Sequence, residues 1–200
     1  MALLPIFPLD VVLFPGIPLP LHIFEPRYKE MIGECLAAKA PFGMLRAQEH
    51  AVAPVGCTAE IVNVVKRYDD GRLDILTEGR RRFEVVDLDQ ERAFLRAEVL
   101  FFEDDSGVTP PESGKARELH TEMMAIVGGT DELSGAEGGA LSFRLAASLP
   151  TDLDFKQTLL AMRSEGDRIA LLIDYYNAVI PKLKLNAAAR IKASGNGHVR

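Results

Sequence analysis

The feature that most limits the fold is the segment from Phe7 to Tyr28, FPLDVVLFPGIPLPLHIFEPRY, which is strongly apolar and carries five prolines. Residues 11–24 include no formally charged side chain. The run is nevertheless shorter than the about 20 residues of a membrane-spanning helix, and its prolines remove backbone donors. Because proline biases the preceding residue toward extended geometry, we predict a strand, a turn at Pro15-Gly16 and a second extended piece at the edge of a β structure.

The composition is that of a folded globular protein. The chain has 200 residues, of which 48% are hydrophobic and 26% charged, and these values exclude global disorder. The net charge of −6 argues against nonspecific binding of phosphates by the whole surface. The start of the chain, MALLPIFPLD, lacks the basic region and cleavage pattern of a secretory signal, so we expect a cytoplasmic protein.

The first half of the chain has the pattern of strands around one helix. Pro26 occupies a favoured first helical position, and apolar residues recur at helical spacing up to Lys39-Ala40-Pro41. FGMLRA, residues 42–47, is the next predicted strand.

Between Val55 and Glu103, β-branched and aromatic runs are separated by turn signals at Asp69-Asp70-Gly71, Glu78-Gly79 and Asp89-Gln90-Glu91. We therefore predict an antiparallel meander with a type I′ hairpin at Asp70-Gly71. With the N-terminal strands it supplies six or seven strands that curl into a small barrel against the single helix.

The second half has the pattern of helices. An acidic, proline-bearing connector from Glu103 to Pro111 predicts a boundary between a β-barrel subdomain, residues 1–106, and a helical-bundle subdomain, residues 107–200. The predicted helices cover residues 116–127, 140–149, 151–163 and 164–185. The fold class is thus α+β.

Weak capping boxes are predicted at two helix starts, Thr151 with Asp154 and Ser164 with Asp167. Pro181 should kink or end the last helix, and residues 186–200 should form a frayed, basic tail.

The residues that could carry chemistry are few and scattered. The histidines are His22, His50, His120 and His198, and none stands beside a second metal-type ligand at a strong spacing; His22 and Glu25 form only an H-x-x-E pair, which is common by chance. Cys35 and Cys57 have no C-x-x-C spacing and are expected to be small buried residues. No G-x-S-x-G or Walker A motif occurs. We predict no catalytic residue, no metal site and no cofactor.

The run Arg80-Arg81-Arg82 leaves an RNA-binding alternative open, because arginines on a β surface can follow phosphates. Strand alternation, however, sends neighbouring arginines to opposite faces, and Glu78 and Glu84 are close enough to pair with them. The tail adds a second basic element with Lys182, Lys184, Arg190, Lys192 and Arg200. It is also consistent with simple positive charge at a helix C-terminus.

Three stretches of the chain resemble one family. They are LPIFPLDVVLFPGIPLPLHIFEPRY, VGCTAEIVNVVKRYDDGRLDILTEGRRRF and LAASLPTDLDFKQTLLAMRSEGDRIALLIDYY. Their order and spacing are similar to the N-terminal substrate-recognition domain of ATP-dependent Lon proteases, across roughly Leu3 to Tyr176. The resemblance implies a PUA-like β pseudobarrel followed by a helical bundle. Lon proteases continue into ATPase and serine-lysine protease modules, so we expect a stand-alone protein without either activity.

The resemblance also implies a function in binding. The expected partners are unfolded or exposed apolar polypeptide segments, held in a groove between barrel and bundle, and a folded protein partner is a further possibility; neither nucleic acid nor membrane is expected. The expected peptide-binding residues are Phe14, His22, Phe24 and Tyr28, with Arg80 as a rim charge. Glu25 and Arg27 are expected to fix the corner between strand and helix through a cap or an ion pair.

Overall fold

A computed structural model describes residues 3–49, 51–105, 110–129 and 139–195, with side chains up to residue 188. Within these residues the fold is mixed α+β. The strands are β1 (Leu4–Leu9), β2 (Pro18–Ile23), β3 (Phe42–Arg46), β4 (Val55–Arg67), β5 (Leu73–Asp89) and β6 (Arg96–Phe102). The helices are α1 (Pro26–Ala38), α2 (Ser113–Val127), α3 (Leu141–Ser148), α4 (Leu153–Ala161) and α5 (Glu165–Gly195). None of these described helices combines the length and apolar character that a bilayer span requires.

The proline-rich opening folds as predicted. The Ile17 amide donates to the Phe14 carbonyl across 3.2 Å, and Gly16 has a φ of 75°. Proline followed by a glycine with positive φ is typical of a type II turn. β2 is the first strand in the sheet order β2-β5-β4-β3-β1-β6, which confirms that this segment forms an edge.

The sheet curls until it closes on itself. β1 pairs with β3 in parallel and with β6 in antiparallel orientation, and β6 also pairs with β5. Strands β1, β3, β4, β5 and β6 therefore form a ring, to which β2 adds through the first half of β5. The predicted number of strands is confirmed.

The predicted turn at Glu78-Gly79 is wrong, because β5 runs through it as one strand of 17 residues. Gly79 is needed there for close approach: a Cβ on it would lie 2.1 Å from the Phe14 carbonyl oxygen. Gly79 donates to the Ile17 carbonyl and accepts from the Gly16 amide, so the Pro15-Gly16 turn lies directly against β5.

The hairpin between β4 and β5 is confirmed at the predicted place, but its turn type differs. Gly71 has a φ of 81°, and the Gly71 amide donates to the Tyr68 carbonyl. Lys39 is the only non-glycine residue of the described chain with a positive φ, so Asp70 does not have the geometry that a type I′ turn requires. The geometry is that of a three-residue loop that closes with a glycine bulge.

The helices follow the predicted order. α1 begins at Pro26, and α5 begins after Ser164, whose hydroxyl accepts the Asp167 amide as predicted. At α4 the cap is Asp152 rather than Thr151, since Asp152 accepts the Phe155 amide across 2.8 Å.

The prediction that α5 would end near Leu185 is wrong, as is the predicted fraying for residues 186–195, while residues 196–200 lie outside the described residues. α5 continues through Pro181 to Gly195. Packing outweighs the hydrogen bond that proline removes, because Ile180 is buried and Lys184 forms a 2.6 Å ion pair with Glu122 of α2.

A buried ionic cluster joins the sheet to the helices. Asp104, which follows β6, accepts hydrogen bonds from Arg82 of β5 and from Arg168 of α5, the latter at 2.5 and 2.8 Å. Arg168 is fully buried and also contacts Glu165 and the Ser142 hydroxyl. The acidic connector is therefore not merely a solvated turn, since its Asp104 lies between two buried guanidinium groups.

Sheet and helices share one apolar core. Phe14 stacks on Phe143 of α3 with ring centroids 5.4 Å apart, and both side chains belong to a cluster that extends from β1 to α5. The predicted boundary at residues 106–107 falls outside the described residues, and the two-subdomain description stays a prediction.

We expect Asp104→Asn to lower the free energy of unfolding by about 3 to 5 kcal/mol, because the change leaves buried arginines without their shared carboxylate. Denaturant unfolding measures this. The matched control is Glu84→Gln, which breaks an exposed ion pair with Arg163 and should cost less than about 1 kcal/mol. Equal effects of the two changes would contradict this assignment.

The same cluster predicts a pH dependence. Burial alone would raise the pKa of Asp104, but the hydrogen bonds and charges of Arg168 and Arg82 outweigh burial and hold the pKa below its ordinary value. Such a carboxyl stabilises the fold above its unfolded-state pKa and loses this contribution as the pH falls through the folded-state pKa. The stability difference between wild type and Asp104→Asn should be full above about pH 5 and shrink below about pH 4. A difference that is constant down to about pH 2 would show that the carboxylate charge is not the cause.

We also expect Gly79→Ala to destabilise the protein by about 1 to 3 kcal/mol or more, because its Cβ would collide with backbone. Thermal unfolding provides the measurement. Gly33→Ala in α1 is the control, since open space surrounds that position, and it should leave stability equal or slightly higher. An unchanged melting temperature for Gly79→Ala would contradict the close approach seen here.

Candidate functional site

A cleft of about 380 Å³ lies between the end of β1, strand β2 and the start of α1. Its lining consists of Phe7, Pro8, Leu9, Pro20, Leu21, His22, Ile23, Phe24, Glu25, Arg27 and Tyr28. All of these residues lie between positions 7 and 28. The cleft is therefore not the predicted groove between the sheet and the C-terminal helices.

Aromatic rings dominate the cleft. Phe24 is 58% exposed, and its ring stacks on the His22 imidazole with centroids 5.9 Å apart. Phe7 and Tyr28, which also line the cleft, are buried, with ring centroids 4.2 Å apart. A large exposed aromatic beside a packed aromatic floor is the kind of surface that gains free energy when an apolar group covers it.

An ion pair lies at the corner between β2 and α1. Arg27 donates to the Glu25 carboxylate across 2.8 Å, while Glu25 as N-cap residue makes no side-chain cap. The Glu25 carbonyl accepts from the Tyr28 and Lys29 amides instead. Of the two expected contacts the ion pair is present and the side-chain cap is not, and the role of the ion pair in fixing the corner stays a prediction.

His22 has Asp74 of β5 as its partner. Its Nδ1 lies 2.5 Å from Asp74, and the Tyr68 hydroxyl donates to the same carboxylate across 2.7 Å. These hydrogen bonds, that from His22 first, lower the pKa of Asp74. The imidazole is thus oriented beside Phe24 by β5 and not by Glu25.

Two of the predicted peptide-binding residues lie outside the cleft. Phe14 is 1% exposed and belongs to the core beside Phe143. Arg80 lies on β5, where its guanidinium donates to both Glu60 and Glu78 across 2.5 Å. The structure brings His22, Phe24 and Tyr28 together with the corner residues, whereas a peptide contact by Phe14 or Arg80 stays a prediction.

The three arginines of the basic run do not share one surface. Arg82 is buried in the ionic cluster, while Arg81 covers the Phe101 ring at 4.1 Å and lies 3.5 Å from Glu103. Each arginine of the run therefore has a carboxylate within ion-pair distance. In the tail, Lys184 pairs with Glu122, and the side chains of Arg190, Lys192 and Arg200 lie outside the described residues.

The two thiols are poor nucleophiles in this environment. Burial raises the pKa of the Cys35 thiol to about 11 and that of the Cys57 thiol to about 12, so both are protonated at neutral pH. Both are buried, as predicted. Within the part of the chain that the structure describes, no three His, Cys, Asp or Glu side chains are grouped to hold a metal ion.

Sequence reasoning missed the β1 side of the cleft. The residues on this side are Phe7, Pro8 and Leu9. They reach the cleft because β1 is a strand of the ring, between β3 and β6. The only signal in the sequence is their proximity to the proline-rich segment, and it does not distinguish a cleft wall from an ordinary strand.

The chain matches the family model of the ATP-dependent protease La (LON) substrate-binding domain over residues 3–178. A Lon protease from Anaeromyxobacter dehalogenans is 28% identical over 92% of this chain and 24% of its own length. A Lon protease from Parabacteroides distasonis is 31% identical over 66% of this chain and 16% of its own length. The chain thus spans about a quarter of these relatives or less.

Solved structures agree with this match. The crystal structure of a Lon N-terminal domain protein from Xanthomonas campestris superposes with a TM-score of 0.72 at 26% identity, covering 88% of this chain and 99% of that one. The N-terminal domain of a Mycobacterium avium complex Lon protease shares the fold with a TM-score of 0.63 at 19% identity, covering 88% and 98%. The fold and the family model together identify the chain as a member of the Lon substrate-binding domain family.

Proposed function

We propose that this chain binds exposed apolar segments of unfolded polypeptides and performs no catalysis of its own. The observation that carries the proposal is the cleft, where Phe24 is largely exposed beside Phe7 and Tyr28. The family description, a substrate-binding domain of a protease, supports the same function, since the substrates of a protease are polypeptides.

We also propose how the fold is divided and how it binds polypeptide. We describe the molecule as a PUA-like β pseudobarrel, residues 1–106, followed by a helical bundle, residues 107–200. It recognises polypeptide without ATPase or protease activity of its own. Within the cleft, His22, Phe24 and Tyr28 make the contacts, and Glu25 with Arg27 keeps the corner in place. Phe14 is buried and Arg80 lies elsewhere, so neither belongs to this contact set.

A cleft of this size suits weak, broad recognition. About 380 Å³ is near the lower end of the range for ligand pockets, with room for one or two large side chains. Because little apolar surface is covered, the free energy gained by burial exceeds the entropic cost of ordering the bound segment by only a small amount. We therefore expect micromolar dissociation constants, which correspond to a binding free energy of about −8 kcal/mol.

The RNA-binding alternative receives less support. Each arginine of the basic run already faces a carboxylate, and Arg82 is buried. Phosphate binding would require these ion pairs to break.

We expect Phe24→Ala to weaken binding of a labelled, permanently unfolded polypeptide about tenfold, because the variant loses the exposed ring that the bound segment covers. Fluorescence anisotropy measures the affinity. The matched control is Leu100→Ala on β6, which removes an apolar side chain of similar exposure, 59%, and should change the affinity less than about twofold.

Both variants should keep the melting temperature of the wild type, since each removed side chain is mostly exposed. Global unfolding of Phe24→Ala would instead assign Phe24 to the core. An affinity that Phe24→Ala leaves unchanged would show that the cleft is not the binding site.

The salt dependence of binding distinguishes polypeptide binding from RNA binding. Binding of the unfolded polypeptide should persist or strengthen between about 50 mM and about 500 mM salt, because apolar burial does not depend on counterion release. A labelled single-stranded RNA should show no comparable saturable binding at either concentration. Saturable RNA binding that falls steeply with salt, without polypeptide binding, would favour the alternative.

A further inference from the structure

Two stretches of strand border the cleft, and each lacks a strand partner on one side: β2 ends the sheet order, and the register of β1 with β6 covers only Leu4 and Pro5. A bound polypeptide inserts at such stretches as an additional strand where they offer backbone partners. β1 contributes residues 7–9 to one wall and β2 contributes residues 20–23 to the other. Whether strand insertion is possible depends on the backbone groups that each edge presents to the cleft.

The β1 edge presents no donor at the cleft. The Leu9 carbonyl accepts from the Ala47 amide after β3, whereas the Ile6 amide donates to the Leu95 carbonyl before β6, on the opposite side. Because backbone groups alternate along a strand, Pro8 faces the same side as Ile6, away from β3. Proline has no N–H, so at Pro8 this edge offers a carbonyl alone.

The β2 edge is interrupted in the same way. Gly79 donates to the Ile17 carbonyl, and the register then places Leu19 opposite Thr77 and Leu21 opposite Ile75. The alternating positions, Pro18 and Pro20, face away from β5. Of the outward-facing residues of β2, His22 alone retains an N–H.

An inserted strand would therefore lose two of the three hydrogen bonds that its carbonyls could accept from the outward-facing residues Pro8, Pro20 and His22. Its carbonyls opposite Pro8 and Pro20 would find no donor, and each buried carbonyl left unpaired costs about 1 to 3 kcal/mol. Proline on an edge strand is a known defence against strand pairing.

The charges of the cleft favour an uncharged side chain. Glu25 and Arg27 neutralise each other across 2.8 Å, and His22 is paired with Asp74. An incoming charge would have to give up its hydration without gaining a free counter-charge from these pairs. An apolar side chain has no such cost and covers Phe24.

We infer that the cleft captures a polypeptide by inserting one large apolar side chain, without pairing the polypeptide backbone to β1 or β2. This inference rests on the proposed function and specifies how the cleft performs it. Backbone-independent capture does not fix a register, so it accepts many sequences as long as each offers an apolar side chain.

The test uses a labelled twelve-residue peptide of Gly, Ser and Asn with one central Phe, and two backbone N-methylated versions. The two versions carry methyl groups at alternate residues in opposite phases, so that together they remove every donor a strand could use. Fluorescence anisotropy with the full chain should give affinities within about threefold for all three peptides. Replacing the central Phe by Ala should weaken binding at least about tenfold.

Phe24→Ala ties the measurement to the cleft, since it should weaken the parent and both methylated peptides alike. A loss of about tenfold on methylation in either phase would demonstrate strand addition and overturn the inference, while leaving the proposed function intact. Absence of binding by the parent peptide and by the unfolded polypeptide would overturn the proposed function itself.

Discussion

Asp104 accepts hydrogen bonds from two buried guanidinium groups, one on the sheet and one on the last helix, and this contact joins the two parts of the fold beside their shared apolar core. Removing two arginines from water is costly, and a single carboxylate offsets the cost only because further acceptors surround it. Arg82 also donates to the carbonyls of Leu160, in the last turn of α4, and of Met162, just after that helix, and Arg168 contacts Glu165 and Ser142. The cluster therefore sets where the helices sit on the ring as well as holding them there.

Much of the fold could be predicted because its signals are local. Pro15-Gly16 and Asp70-Gly71 mark turns whatever surrounds them, and Pro26 and Ser164 mark helix starts. The wrong predictions concern residues whose roles depend on contacts distant in sequence. Gly79 resembles a turn residue in sequence, but its role depends on the carbonyl of Phe14, 65 positions earlier, which no local pattern contains.

The cleft was predictable only in part for the same reason. His22, Phe24 and Tyr28 lie close together in sequence, so reasoning about one corner found them. Phe14 belongs to the same apolar segment, but the type II turn directs it inward onto Phe143. The wall from Phe7 to Leu9 depends on ring closure, and the pairing of Asp104 with Arg168 joins positions 64 residues apart.

The proline-bearing edge of β2 has a consequence for aggregation. An exposed sheet edge with free backbone donors and acceptors can pair with an unfolded polypeptide, and repeated pairing of this kind leads to aggregates. Pro18 and Pro20 remove two of the three outward-facing donors of that edge and leave only the N–H of His22 for such growth. The prolines that interrupt the opening segment in sequence thus also limit backbone pairing, and with it aggregation, at this edge.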